Sequence, residues 1–248
     1  MILVRSLLLA LAMLLFTPPF ALIALCTFPL PRLTRYRIIA LWAYTMLWVV
    51  KHVCGIKYRV QGAENIPAQP VIILSKHQSA WETMAFQQIF PPQCYVLKRE
   101  LLLVPFFGWG LALTSPIAID RSAGKAALKQ LLKQGKERLA QGFCIVIFPE
   151  GTRIAVGEKG KYQIGGAWLG SHTQAPVLPV AHNAGEFWRR NAFLKYPGEI
   201  TVSIGPPIDT AGLTPGEVNE RVESWIEDEM RRLFPHHYTH AEQPQQPA

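Results

Sequence analysis

The sequence predicts an α/β domain, a mixed but largely parallel sheet flanked by helices, behind an N-terminal helical membrane anchor. Three observations point there. Short β-branched runs alternate with helical periods from about residue 56 onward, the pattern of strands joined by crossover helices. The first 30 residues are almost wholly apolar. The charge in residues 1–63 is all basic: Arg5, Arg32, Arg35, Arg37, Lys51, Lys57 and Arg59, with no Asp or Glu.

Residues 1–55 are the expected anchor. Ser6 to Leu30 carries no charge, and ~20 apolar residues suffice to span a bilayer core. Pro18-Pro19 interrupts the run, and an interior Pro costs a helix ~3 kcal/mol. Two half-length helices bent at Thr17 to Pro19, or one kinked span, both fit. A second apolar run, Ile38 to Val50, has only 13 residues between Arg37 and Lys51, too few to span comfortably. Its Trp42, Tyr44 and Trp48 suit a headgroup boundary. A cleaved signal peptide competes, but no small-x-small site follows cleanly. If the first run spans, Arg32, Arg35 and Arg37 place the following domain in the cytoplasm.

The next elements follow in order. Tyr58 to Gln61 predicts a strand, ended by Gly62 and Asn65-Ile66-Pro67. Val71 to Ser75 is a short buried strand. Ala80 to Phe90 is a helix stopped by Pro91-Pro92. Cys94 to Leu97 and Ile117 to Ile119 are further strands. Ser122 to Gln141 is a helix with Leu128, Leu131, Leu132 and Leu139 on one side and its lysines mostly on the other. Phe143 to Phe148 is an apolar central strand, and Val177 to Ala181 and Ile200 to Ile204 are two more. Thr214-Pro215-Gly216-Glu217 is a capping box that opens a last helix to about Leu233. The domain boundaries that result are 56–234, with a polar, Gln/Pro-rich, disordered tail over 235–248.

Composition removes several classes. The 248 residues are 50% hydrophobic and 17% charged, with a formal net charge of +8. Disorder needs low hydrophobicity and high charge, and 18 Gly and 20 Pro without period exclude collagen. Cys26, Cys54, Cys94 and Cys144 form no CxxC pair, which argues against a disulfide framework or zinc cluster and fits a reducing compartment. The basic residues interleave with an apolar anchor and no groove-reading motif appears, so no nucleic-acid partner is expected. No metal is implied either: His172, His182, His236, His237 and His240 show no ligand spacing with Cys or carboxylates. Gly-x-Ser-x-Gly and Gly-x4-Gly-Lys-Ser/Thr are both absent, against a serine hydrolase and a phosphate-loop ATPase.

The chemistry starts where the first buried strand ends, at Ser75-Lys76-His77-Gln78-Ser79-Ala80-Trp81-Glu82. His77 sits in a turn before a helix, and Glu82 lies one turn into that helix. Glu82 there can accept the imidazole N–H, fix its tautomer and stabilise the charge it gains, the base and orienter of a triad without a protein nucleophile. Ser79-x-x-Glu82 is also a capping box, in which Glu82 merely reaches back to the Ser79 N–H. On spacing alone the cap is favoured. Ile119-Asp120-Arg121 and Phe148-Pro149-Glu150-Gly151-Thr152-Arg153 each follow a strand. Converging strand C-termini of one α/β sheet form a ligand crevice, which shifts the balance toward catalysis.

These motifs resemble those of the lysophosphatidic acid (1-acylglycerol-3-phosphate) acyltransferase family, over about residues 60 to 210. His77 to Glu82 matches the family's His-x4-Asp motif, with Glu in place of Asp. Ile119-Asp120-Arg121 matches the second motif, Phe148 to Arg153 the third letter for letter, and Val177 to Val180 the apolar fourth. Lys98 matches a lysine placed near the substrate phosphate. The resemblance implies a glycerolipid acyltransferase-like fold and transfer of a fatty acyl group from acyl-CoA or acyl-carrier protein to the sn-2 hydroxyl of the lysolipid, giving phosphatidic acid. It implies His77 and Glu82 as catalytic, and Lys98, Arg121, Glu150, Gly151, Thr152 and Arg153 as substrate-binding, with no cofactor. It implies membrane lipid as the surroundings and the bacterial inner membrane as the location. Other acceptors (glycerol-3-phosphate, lyso-ornithine lipid or another lysophospholipid) and a membrane-anchored lipid-binding protein without turnover are the alternatives.

Overall fold

The computed structural model describes residues 1–238, apart from the side chain of Arg121. Its strands are β1 (Ile56–Gln61), β2 (Ile72–Ser75), β3 (Gln93–Lys98), β4 (Ile117–Ile119), β5 (Cys144–Ile147), β6 (Val177–His182) and β7 (Gly198–Ile204). They form one sheet in the order β1-β7-β6-β2-β5-β3-β4. The stretch from β6 to β4 is parallel throughout. Only β7 turns against it, antiparallel to β6, and carries β1 alongside in parallel. Each strand read from the sequence is present, within two residues at either end.

The helices are α1 (Ile2–Cys26), α2 (Arg32–Val49), α3 (Trp81–Ile89), α4 (Phe107–Leu113), α5 (Lys125–Ala140), α6 (Gly165–Thr173), α7 (Ala184–Phe187) and α8 (Pro215–Leu233). Strand alternation sends side chains to two cores. Ile73 and Val146 face α1, α2 and α3, with Leu9, Met46, Trp81 and Phe86. Ile72, Leu74, Ile145 and Ile147 face α5, α6 and α8, with Leu131, Leu169, Val222 and Ile226. The capping box of α8 is present: the Glu217 N–H donates to Thr214 Oγ1 (3.3 Å) and the Thr214 N–H to Glu217 Oε2 (2.8 Å).

Sequence patterning does not announce α4, α6 or α7. Gly165, Gly166 and Gly170 all lie in α6, where each costs ~1 kcal/mol of helix propensity relative to Ala. Packing overrides this. A Cβ on Gly166 would stand 2.5 Å from Leu74 Cδ2, so the bare backbone is what lets α6 lie against β2.

Of the two forms expected for the first apolar run, the structure has the single span: α1 continues through Pro18 and Pro19. Proline φ is already helical, and the cost of the lost N–H and of the ring against the preceding turn is met where α2 braces the spot: Trp42 Nε1 donates to Thr17 Oγ1 at 3.2 Å. The second run is not short. Its flanking Arg32, Arg35, Arg37 and Lys51 join the helix, and a π-helical turn, Val50–Cys54, extends α2 into a 23-residue helix. Both helices are long and apolar enough to cross a membrane. The far C-terminus differs as well. Pro235–His237 form a 3-10 turn, and the His237 ring stacks on Phe234 with Nε2 3.2 Å from Glu186. The folded part therefore runs beyond the 234 boundary; residues 239–248 of the expected tail lie outside the described residues.

Leu9, Met46, Leu47, Val49 and Val50 share one core with Trp81, Met84 and Phe86. Burying each of those five is worth ~1.5–3 kcal/mol, and their sum rivals the ~5–15 kcal/mol that keeps a domain folded. The N-terminal helices are thus part of the domain's packing as well as an apolar surface. A fragment starting at Ile56 should lose its cooperative thermal transition in calorimetry. A sharp transition near the full-length midpoint would show that the helices are detachable.

Candidate active site

The loop from β2 to α3 is held at nearly every peptide. The Lys76 N–H donates to Val180 O (3.0 Å) and the Ile154 N–H to His77 O (2.8 Å). The His77 N–H donates to Glu150 Oε2 at 3.1 Å. His182 Nε2 lies 2.8 Å from Lys76 O. The catalytic candidate therefore rests on a backbone fixed by β5, β6 and the loops that follow them.

Glu82 settles the choice between cap and orienter by being both. Its Oε1 accepts the N–H groups of Gln78 (2.9 Å) and Ser79 (2.7 Å), and lies 2.8 Å from His77 Nδ1. Burial pushes the Glu82 pKa up, but the neighbouring His182, the hydrogen-bonded His77 and the Ser79 N–H outweigh it and hold the carboxyl below its ordinary range. An ionised carboxylate only accepts, so Nδ1 of His77 carries the proton and Nε2 is the nitrogen left for substrate. The ring stacks on Phe148, centroids 3.9 Å apart and 14° from parallel. The additional methylene of Glu is accommodated because the chain folds back over its own helix start.

His182, at the end of β6, was unassigned by motif. It is fully buried, and its Nδ1 accepts the Ala184 N–H at 3.2 Å. With Nδ1 an acceptor, Nε2 donates to Lys76 O. Burial, the largest influence, lowers the pKa of this imidazole.

The residues after β5 divide. Gly151 takes φ 70° and turns the chain; Gly151, Thr152 and Arg153 then line a cavity. Glu150 does not, which corrects its reading as a substrate ligand. Its side chain is fully buried, with Oε1 2.8 Å from Lys76 Nζ and Oε2 on the His77 N–H. The charge it would bring to a phosphate site is spent inside the protein. Lys98, exposed at the end of β3, also lines the cavity. Arg121 opens a 3-10 turn after β4, and its side chain lies outside the described residues. Its neighbour Asp120 pairs with Arg99 at 3.4 Å.

The cavity holds about 730 Å³. His77, Lys98, Arg153 and Arg190 line it together with an apolar wall that includes Met13, Phe20, Ile39, Trp42, Met84 and Leu111. Among the described residues no carboxylate lines it, so its charge is wholly positive. Arg190 is the residue that motif reading missed. It follows α7 in a loop with no recognisable pattern, and its Nη1 donates to Arg153 O at 2.8 Å. The apolar walls from α1 and α2 were equally hidden, since an anchor read by hydropathy carries no sign of lining a site.

The fold also brings together Glu186, His236 and His237, whose ligand-type atoms lie within 4.8 Å of one another. Linear spacing conceals this, as 50 residues separate the carboxylate from the first imidazole. None of the three lines the cavity.

A pH dependence follows from His182. Its pKa is depressed below 6.5 in the folded protein, so the unfolded chain binds the proton first on acidification. Stability is full above about 6.5 and is lost as pH falls through the folded value. Glu82 has the same sign further into acid. The melting temperature should fall between pH 7 and 5, and less steeply in His182→Gln. Parallel profiles would remove His182 as the cause.

The comparisons agree with this geometry. A family model described as Acyltransferase matches residues 57–183, a stretch that holds His77, Glu82 and the Gly151 turn. The chain is 51% identical over 210 residues to the 1-acyl-sn-glycerol-3-phosphate acyltransferase of Pseudomonas aeruginosa, covering 83% of this chain and 82% of the relative. It is 30% identical to the 1-acyl-sn-glycerol-3-phosphate acyltransferase alpha of Mus musculus, covering 76% of this chain and 67% of the relative. The crystal structure of the 1-acyl-sn-glycerophosphate acyltransferase of Thermotoga maritima superposes with a TM-score of 0.78 at 20% identity, covering 94% of this chain and 95% of that one. Sequence motif, sheet topology and overall similarity meet in one conclusion: this chain belongs to the 1-acyl-sn-glycerol-3-phosphate acyltransferase family.

Proposed function

We propose that the protein moves a fatty acyl group from acyl-CoA or acyl-carrier protein to the sn-2 hydroxyl of 1-acylglycerol-3-phosphate, giving phosphatidic acid. The observation that carries this reading is one cavity lined by a base, three cations and a largely apolar wall. An amphipathic phosphate ester suits both kinds of lining at once.

In this reading His77 Nε2 takes the proton from the acceptor hydroxyl as the oxygen attacks the thioester carbonyl. Glu82 stabilises the imidazolium through Nδ1–H. The tetrahedral intermediate collapses, the C–S bond breaks, and His77 returns the proton to the thiolate. Lys98, Arg153 and Arg190 hold the phosphate, Arg153 through a two-pronged guanidinium bond. Thr152 and the Gly151 turn shape that end. The thioester supplies the activated acyl group and the dyad the base, so we infer no metal or cofactor.

The apolar interior accommodates acyl chain, and it opens between α1, α2 and the domain. Leu14 and Phe28, 70% and 73% exposed, lie on a surface suited to lipid. We infer a bacterial inner membrane location with the sheet on the cytoplasmic side, since Arg32, Arg35 and Arg37 follow the first apolar helix.

His77→Ala should lower turnover by ~10²–10⁴-fold per folded molecule, with a lower melting temperature because the buried Glu82 carboxylate loses a donor. Near wild-type turnover would remove the base. Arg153→Ala should raise the acceptor KM by roughly one to two orders of magnitude, with Arg153→Lys recovering part of it. The donor KM should change far less, and equal losses for both substrates would sink the phosphate assignment. Thiol release measured across glycerol-3-phosphate, lyso-ornithine lipid and several lysophospholipids decides the acceptor.

A further inference from the structure

We propose that Lys76, clamped between Glu150 and Glu227, is a positioning residue for His77, and that α8 thereby sets the geometry of the catalytic base. The proposal rests on His77 being that base. Lys76 is the residue immediately before it, and its side chain is fully buried. Lys76 Nζ donates to Glu150 Oε1 (2.8 Å), Glu227 Oε1 (2.9 Å) and Glu158 O (3.1 Å). An ammonium has three N–H groups, so none is spare and the head cannot rotate without losing a partner.

The clamp reaches His77 through its peptide. Lys76 and the Gly160 N–H hold Glu150 Oε1, which leaves Oε2 aimed at the His77 N–H at 3.1 Å. On the other side the Ile154 N–H grips His77 O at 2.8 Å. Behind the clamp, the Tyr162 hydroxyl donates to Glu227 Oε1 at 2.9 Å. Burial and then Glu227 raise the Tyr162 pKa strongly, so the phenol stays a donor.

Such a network is an expensive way to fill a core. Replacing buried ion pairs by apolar groups of similar volume is often neutral or stabilising. Its location suggests what it does instead. None of Lys76, Glu150, Glu227 or Tyr162 lines the substrate cavity. Glu227 faces a separate cleft of about 310 Å³ beside Glu223 and Asp228. Any effect of Glu227 on turnover must therefore pass through the protein, and the route of hydrogen bonds leads to His77. Misplacement of a reacting group by ~1 Å costs about 10²-fold in rate.

The test uses full-length protein in detergent with Glu227→Leu, Glu227→Gln, Tyr162→Phe and His77→Ala. For each, kcat, both KM values and the melting temperature are measured, with rates normalised to folded enzyme. Glu227→Leu should lose ~10–100-fold in kcat with both KM values within about twofold. Glu227→Gln keeps the acceptor for Lys76 and Tyr162, and should recover most of that loss. Tyr162→Phe removes one hydrogen bond and adds no polar group, and should lose roughly 2–10-fold in kcat alone. A lower melting temperature with unchanged kcat per folded molecule overturns the proposal, as does a rise in KM with kcat intact. If Glu227→Leu does not fold, Tyr162→Phe decides: reduced kcat supports positioning and unchanged kcat overturns it. Wild-type turnover in His77→Ala removes the base assignment itself, whereas loss there with full kcat in the other variants removes only the positioning.

Discussion

A single carboxylate oxygen, Glu82 Oε1, receives the Gln78 and Ser79 N–H groups and the proton on His77 Nδ1. The first two belong to the turn that leads into α3, ahead of its N-cap Ala80. The third fixes the imidazole tautomer. The turn before the helix and the orientation of His77 therefore rest on one carboxylate, carried by a residue with no exposed surface. Because the group is buried, losing any one donor leaves charge or a polar atom uncompensated, which is costly in a low-dielectric site. The cap hypothesis and the dyad hypothesis, which compete on spacing alone, describe the same carboxylate from two sides.

The rest of the domain is arranged so that this carboxylate meets a substrate. The parallel strands β2, β3 and β5 end on one side of the sheet, and their loops deliver His77, Lys98 and Arg153 to the same cavity. Residues of α1, α2 and α4 line the same cavity. One pair of apolar helices thus serves as core packing and site wall, and keeps an exposed apolar surface. A polar reaction centre with an apolar extension suits a reactant whose ends differ as much as those of a lysophospholipid.

Electrostatics divides the charged residues into two groups. Lys98, Arg153 and Arg190 line the cavity, while Lys76 pairs with Glu150 and Glu227 in the interior. Motif reading places Glu150 and Arg153 together because they are three residues apart. The Gly151 turn, with φ 70°, separates them by direction: the residue before it points into the protein and the residues after it point to the cavity.

Local physics was sufficient for much of this. Alternating β-branched runs marked the strands, the Thr214–Glu217 box marked the start of α8, and His77 and Glu82 were legible as a pair. Those signals depend on neighbours within one or two turns, which a sequence displays directly. Hydropathy likewise found the two N-terminal helices, although it left the effect of Pro18-Pro19 open and made the second too short, because the flanking arginines and Lys51 join that helix. Tertiary structure decided what each charged side chain does. Lys76 meets Glu227 across 151 residues and Arg190 meets Arg153 across 37, and the Glu186–His237 pairing spans 51. Such meetings are set by the order of strands in the sheet and by the path of the crossovers. No local propensity encodes that order, so the inward turn of Glu150, the cation at Arg190 and the cavity walls from α1 and α2 exist only once the chain has folded.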